Sequence, residues 1–116
     1  MIRFFDFVLP AKRTGFGGGI ESMALSKNGL TSIGSRAFRH VTGLKTLDVS
    51  DNRIWKIEDD AFDDVANSLQ SLRMASCLRL ASLSARPFEK LARLQSLDLS
   101  ANKLTQVVPP SGIIFH

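Results

Sequence analysis

The residues able to do chemistry in this chain are few. Two histidines, His40 and His116, and one cysteine, Cys77, supply the only imidazole and thiol groups in 116 residues. One thiol closes no intrachain disulfide, and no Cys/His spacing matches a zinc site. Cys77 reads as a small buried thiol rather than a nucleophile or ligand, and His40 as a solvated surface histidine. Carboxylates gather at Glu58, Asp59, Asp60, Asp63 and Asp64. They could hold calcium loosely, but they lack the EF-hand spacing and its loop glycine, which leaves a solvated acidic surface. The run Gly17-Gly18-Gly19 has neither the G-x-G-x-x-G spacing nor a Walker Lys-Ser/Thr, so it is read as a disordered leader or fragment edge. Serines are numerous, but their spacing follows a repeat rather than a base. No catalytic constellation emerges, and no enzyme, cofactor or metal site is read.

Composition excludes further classes. Fifteen basic and 11 acidic residues give a net charge of +4, ordinary for a small soluble domain. No basic block or stripe of the kind a nucleic-acid binder needs is visible. The apolar start, Met1 to Leu9, is interrupted by Asp6 and followed by Pro10, Lys12 and Arg13. It is a poor signal peptide and too short to span a bilayer, so no membrane insertion by this segment is expected. No Asn-x-Ser/Thr sequon occurs.

The serines belong to a pattern that is clearest at Leu44–Asn52, LKTLDVSDN. It returns as IESMALSKN at Ile20–Asn28, LQSLRMASC at Leu69–Cys77 and LQSLDLSAN at Leu94–Asn102. The anchors Asn28, Asn52, Cys77 and Asn102 are separated by 24, 25 and 25 residues. This L-x-x-L-x-L-x-x-N pattern resembles the leucine-rich repeat family, whose period is about 20–29 residues. The period and a recurring phenylalanine, at Phe38, Phe62 and Phe88, look like the typical subclass found in extracellular receptors, matrix proteins and adhesion molecules.

The resemblance implies an α/β solenoid: a short curved array with a parallel sheet on its concave face and irregular or 3₁₀ turns on its convex face. Residues 1–19 are read as a non-repeat leader or linker, and 20–116 as the repeat domain. The repeats run at about 20–43, 44–68, 69–93 and an incomplete 94–116. Physical reasons for the pattern are available. Leu47 and Val49 alternate with polar residues at period two, which marks a strand with one buried face. One such strand cannot bury that face alone; coils stacked about 4.8 Å apart close a continuous core. The Asn amide both donates and accepts, so it can satisfy backbone groups where the chain leaves the strand. Cys77 does this only weakly, and Leu80 and Leu83 fall one place late, so an irregularity is expected there. Aligned on the phenylalanines, the acidic coil Asp60, Asp63, Asp64 lies between Arg36, Arg39, His40 and Arg86, Glu89, Lys90, which suits ion pairs between coils.

Function is expected on the outward strand positions. The candidate protein-binding concave face is Thr46, Asp48, Ser50, Asp51, Ser71, Arg73, Ser96 and Asp98. Two readings stand for its centre: Asp48, Arg73 and Asp98 recognise a polar protein surface, or Arg73 merely pairs with its acidic neighbours. Trp55 is read as a rim residue, either a binding anchor or a side chain lying across a neighbouring coil. The leading expectation is a protein-binding scaffold. The alternative is a structural or adhesion segment of a larger cell-surface or extracellular receptor, and a regulatory domain of an enzyme comes last. The family resemblance places the chain outside the cell or at its surface. The family's cysteine-rich caps are absent, so a fragment or truncated member is expected, with self-association through open solenoid ends.

Overall fold

Three-residue segments with a buried residue between two outward ones set the architecture. In the computed structural model, which describes residues 20–108, strand β1 (Ser22–Ala24) buries Met23 between exposed Ser22 and Ala24. The short strand β2 (Ser32–Ile33) follows, then β3 (Thr46–Asp48) and β4 (Lys56–Ile57). The third and fourth coils contribute β5 (Ser71–Arg73), β6 (Ser82–Ser84), β7 (Ser96–Asp98) and β8 (Gln106–Val108). The odd-numbered strands form one parallel four-stranded sheet in the order β1-β3-β5-β7. Met23, Leu47, Leu72 and Leu97 stand in register across it, so every coil adds one residue to the same inward row. This is a solenoid: each coil pairs with its neighbour rather than with itself.

The core lies between that sheet and the return segments. Leu30, Ile33, Phe38, Leu44, Leu47, Val49, Ile54, Phe62, Val65, Leu69, Leu72 and Met74 are almost wholly buried. Phe38, Phe62 and Phe88 stack as a spine along the return side, with ring centroids 5.8 Å and then 5.6 Å apart. Such ring pairs add about 0.5–1.5 kcal/mol beyond their buried area. The returns are turns and short 3₁₀ segments, Asp63–Val65 and Arg86–Phe88, the latter admitting Pro87 in its first turn. Among the described residues there is no α-helix, and no helix long and apolar enough to cross a membrane. The leader 1–19 and the tail 109–116 lie outside the described residues.

The expected ion pairs tie the returns together. Arg36 reaches Asp64 with two hydrogen bonds, 2.8 and 3.2 Å, and Ser35 donates to Asp60 at 2.7 Å. Lys90 stands 3.5 Å from Asp63 and Arg86 3.8 Å from Asp59. Each pair joins one coil to the next. Exposed pairs of this kind are worth about 0–1 kcal/mol, so they favour one coil register more than they hold the stack.

Stronger ties come from the asparagines. Asn52 Oδ1 accepts from the backbone N–H of Asn28 and of Leu30, both at 3.0 Å, one coil earlier. Its Nδ2 donates to the carbonyls of Leu25 (3.1 Å) and Val49 (2.7 Å). Asn102 repeats this on the third coil, accepting from Cys77 N (2.9 Å) and Leu78 N (2.8 Å) and donating to Met74 O (2.8 Å). Asn28 enters the ladder through its own N–H. Cys77, at the third rung, donates its thiol only to Met74 O within its own coil, at 3.1 Å.

A consequence follows for the smaller strands, which the sequence did not disclose. β2 pairs with β4, and β6 with β8, but β4 and β6 are not paired. A lone bridge, Ile54 to Leu78, is what remains between them. The second sheet therefore breaks beside Cys77, where the extra residue lies.

Replacing Asn52 by alanine orphans buried donors and acceptors on two coils, each costing about 1–3 kcal/mol. Urea unfolding of Asn52→Ala is expected to show a loss of at least about 2 kcal/mol, against less than about 0.5 kcal/mol for Lys45→Ala on the exposed face. Equal midpoints for the two variants would remove the ladder from the account.

Candidate functional site

The outward face of the four-stranded sheet carries two polar rows. Ser22, Thr46, Ser71 and Ser96 stand in register at the strand starts, and Thr46 donates its hydroxyl hydrogen to Ser22 Oγ at 2.7 Å. Ala24, Asp48, Arg73 and Asp98 stand in register at the strand ends. Period-two alternation turns both rows outward once Met23, Leu47, Leu72 and Leu97 point to the core side.

Arg73 sits between two carboxylates, Nη1 3.6 Å from Asp48 Oδ2 and Nε 3.5 Å from Asp98 Oδ2. Pairing with its neighbours, one of the two readings, is thus present. It leaves 56% of the Arg73 side chain exposed, so donors remain for a partner. The carboxylates are held from behind. Asp48 Oδ1 accepts from Ser50 N and Asp98 Oδ1 from Ser100 N, each at 2.9 Å. Burial would raise the Asp48 carboxyl, but the hydrogen bonds from Ser50 and the Arg73 charge outweigh it and hold it below the usual range. Hydrogen bonds from Ser100, ahead of the Arg73 charge, do the same for Asp98.

The remaining candidate residues divide. Thr46, Asp51 and Ser96 are exposed and Ser71 is half-buried, so all four are reachable. Ser50 is not: the sequence placed it on this face, and the structure buries it to 4% exposure. Its hydroxyl accepts from Ala75 N at 3.1 Å, which makes it a tie between coils. Asp51 belongs to an outer row whose backbone conformation sequence reasoning missed. Lys27, Asp51, Ser76 and Ala101, each just before an anchor, have φ of 58°, 57°, 51° and 58°. They form the left-handed turns by which the chain leaves each strand.

Cys77 is buried, and burial first, then Asp48 and Asp51, pushes its thiol up to about 12, so it stays protonated at neutral pH. The gap beside it is a groove of about 380 Å³ lined by Asn52, Cys77, Arg79, Leu80 and Lys103 among others. Its signals in the sequence were Cys77 in place of asparagine and the displacement of Leu80 and Leu83, from which an irregularity was expected here. Trp55 is 58% exposed, on the rim as expected. Among the described residues, no group of three or more His, Cys, Asp or Glu is placed to hold a metal.

The lowered carboxylates fix the acid dependence. The Arg36 hydrogen bond, larger than the opposing burial, also lowers Asp64. A carboxyl lowered on folding contributes stability that is complete above its unfolded value, about 3.9 for Asp. That contribution is lost as pH falls through the lower folded value. Unfolding free energy is therefore expected to hold level from neutral pH down to about pH 4.5 and to fall below it. Asp64→Asn is expected to flatten this fall, measured by urea unfolding at stepped pH; an unchanged acid limb would contradict the assignment.

Comparison with known proteins agrees with this geometry. Residues 19–78 match the family described as Leucine rich repeat, and residues 93–113 match a second description, Leucine Rich Repeat. Chaoptin of Drosophila melanogaster is 43% identical over 72 residues, covering 62% of this chain and 6% of that protein. Human Leucine-rich repeats and immunoglobulin-like domains protein 1 is 38% identical over 97 residues, covering 84% of this chain and 8% of that protein. Leucine-rich repeat-containing protein 3 of Danio rerio is 34% identical over 82 residues, covering 70% of this chain and 29% of that protein. The chain thus spans only a small part of each of these relatives. No solved structure matches closely enough to add to this. With the repeat matched over more than half its length and Asn52 and Asn102 tying coils together from the anchor positions the repeat prescribes, this chain belongs to the leucine-rich repeat family.

Proposed function

We propose that the chain is a protein-binding scaffold that recognises its partner through the outward, concave face of the four-stranded sheet. Asp48, Arg73 and Asp98 form the centre, and Thr46, Asp51, Ser71 and Ser96 the surround. The observation that carries this reading is Arg73: a guanidinium flanked by a carboxylate on each side, yet more than half exposed. Alternating signs across neighbouring strands discriminate between partners. Membership of the family supports the same reading, because its repeats serve as scaffolds rather than as catalysts, and we infer no enzymatic activity.

An adhesion or receptor segment of a larger extracellular or cell-surface protein is the second reading. Its support is that the chain aligns with under a tenth of two of its relatives, one of which is named for immunoglobulin-like domains as well as repeats. Leu97 (40% exposed), Val107 (48%) and Val108 (42%) give the fourth coil an apolar face that supports contact with another coil or a second copy.

The test uses the chain as bait against an extracellular extract, beside two exposed charge reversals. Arg73→Glu is expected to lose the captured partner by at least about tenfold in affinity, or about 1.4 kcal/mol. Glu89→Lys, on the return side, is expected to retain it. Capture that survives Arg73→Glu but fails with Glu89→Lys would move the interface to the opposite face.

A further inference from the structure

The broken second sheet leaves a surface that the sheet-face reading does not use. The groove of about 380 Å³ beside Cys77 adjoins a second one of about 210 Å³, and Leu80 lines both. Arg79 and Lys103 line the first; Trp55 and Lys56 line the second. The Ile54–Leu78 bridge fixes their relation. Ile54 N donates to Cys77 O and Arg79 N to Ile54 O, both at 2.7 Å, so Arg79 emerges beside the segment that carries Arg53 and Trp55.

This surface gathers bases that lack acidic partners around the exposed Trp55. On the sheet face and the returns several bases have acidic partners: Arg36 with Asp64, Lys45 with Glu21, Arg73 with Asp48 and Asp98, Arg86 with Asp59 and Lys90 with Asp63. Lys27, Arg39 and Arg93 have none among the described residues, and in the second groove Lys56 pairs with Glu58 at 3.7 Å. Arg53, Arg79 and Lys103 are all exposed, and none of them forms an ion pair among the described residues. Beside these cations lies Trp55, the one tryptophan in the chain and the most exposed of its large apolar side chains among the described residues. Cationic rim, half-buried leucine and open indole together match an acidic peptide with apolar side chains. Its carboxylates would meet Arg79 and Lys103, and an apolar side chain would lie on Leu80 and Trp55. A sulfated glycan would satisfy the cations but has no side chain for the apolar floor.

We propose that the two grooves at the Cys77 break form a second docking surface, which takes an extended acidic segment of a protein partner through Arg79, Lys103 and Trp55, with Arg53 flanking. It is independent of the Arg73-centred face, so the two stand or fall separately.

The test titrates the full chain with a fluorescein-labelled peptide alternating glutamate and leucine, and with its lysine-leucine counterpart. Binding is followed by anisotropy, and Trp55 emission reports on the unlabelled peptides. The acidic peptide is expected to bind and shift Trp55 emission, and the basic one to do neither. Binding should weaken several-fold as salt rises from about 0.05 to about 0.5 M. Arg79→Glu with Lys103→Glu is expected to weaken it by about tenfold or more, from exposed pairs worth about twofold to fivefold each. Trp55→Ala should weaken it too, and Arg73→Ala should leave it unchanged. Unfolding midpoints of the variants, expected to match the parent, separate lost binding from lost fold. Equal binding of both peptides, no binding of either, or indifference to the double reversal would overturn the proposal. A heparin oligosaccharide that binds where the acidic peptide does not would overturn it in favour of a glycan.

Discussion

Each coil of this protein must leave its strand by a left-handed residue, and the backbone groups exposed by that turn must be satisfied. The turn falls at Lys27, Asp51, Ser76 and Ala101, none of them glycine. Left-handed backbone costs about 1–2 kcal/mol at such residues. The anchor that follows makes the turn tenable. Asn52 and Asn102 reach back one coil with both ends of the amide, taking N–H groups on Oδ1 and giving hydrogens to carbonyls from Nδ2. The same bonds set the distance and register between coils. Between the first and second coils and between the third and fourth, the sheet rows share that register; between the second and third it is carried by β3–β5 pairing, the Phe62–Phe88 contact and the ion pairs of the returns.

The third rung shows what the constraint does when it is relaxed. Cys77 fills the core at 1% exposure but offers no amide to the coil before it. The four-stranded sheet passes the defect, because β3 and β5 still pair in register. The second sheet does not, and β4 and β6 part. Function is then read from two surfaces of opposite design. On the sheet face, charges are compensated in place: Arg73 is framed by Asp48 and Asp98, which are themselves fixed by Ser50 and Ser100. Beside the break, Arg53, Arg79 and Lys103 stand without ion-pair partners among the described residues, around a groove lined in part by Leu78 and Leu80.

Much of this was legible in the sequence. Four anchors at near-equal spacing gave the stack, and the leucines between them named the inward row. Phe38, Phe62 and Phe88 gave the spine, and the acidic middle return gave the ion pairs to Arg36 and Lys90. Other features were hidden for physical reasons. Ser50 has the polarity of a surface residue, and its burial depends on Ala75 N one coil away. The sign of φ at Lys27, Asp51, Ser76 and Ala101 leaves no trace where glycine is not used. Two-residue strands such as β2 and β4 are too short for alternation to show. The surface at Arg79 was hidden by the insertion itself. Counted from the anchors, Arg53 and Lys103 align with Leu78, and only the bridge to Ile54 brings Arg79 beside them.

The central claim is that the amides of Asn52 and Asn102, rather than the leucines alone, hold the first coil to the second and the third to the fourth. Residue-resolved hydrogen exchange tests it most directly, at the backbone N–H groups of Asn28, Leu30, Cys77 and Leu78. These four donate to Asn52 or Asn102 side chains and to no strand partner. The account predicts that they exchange as slowly as the sheet amides of Leu25 and Val49, which donate to Asp48 and Arg73 carbonyls on the next coil. Exchange at the rate of unprotected loop amides, with the sheet still protected, would show that the stack holds without the ladder and would contradict it.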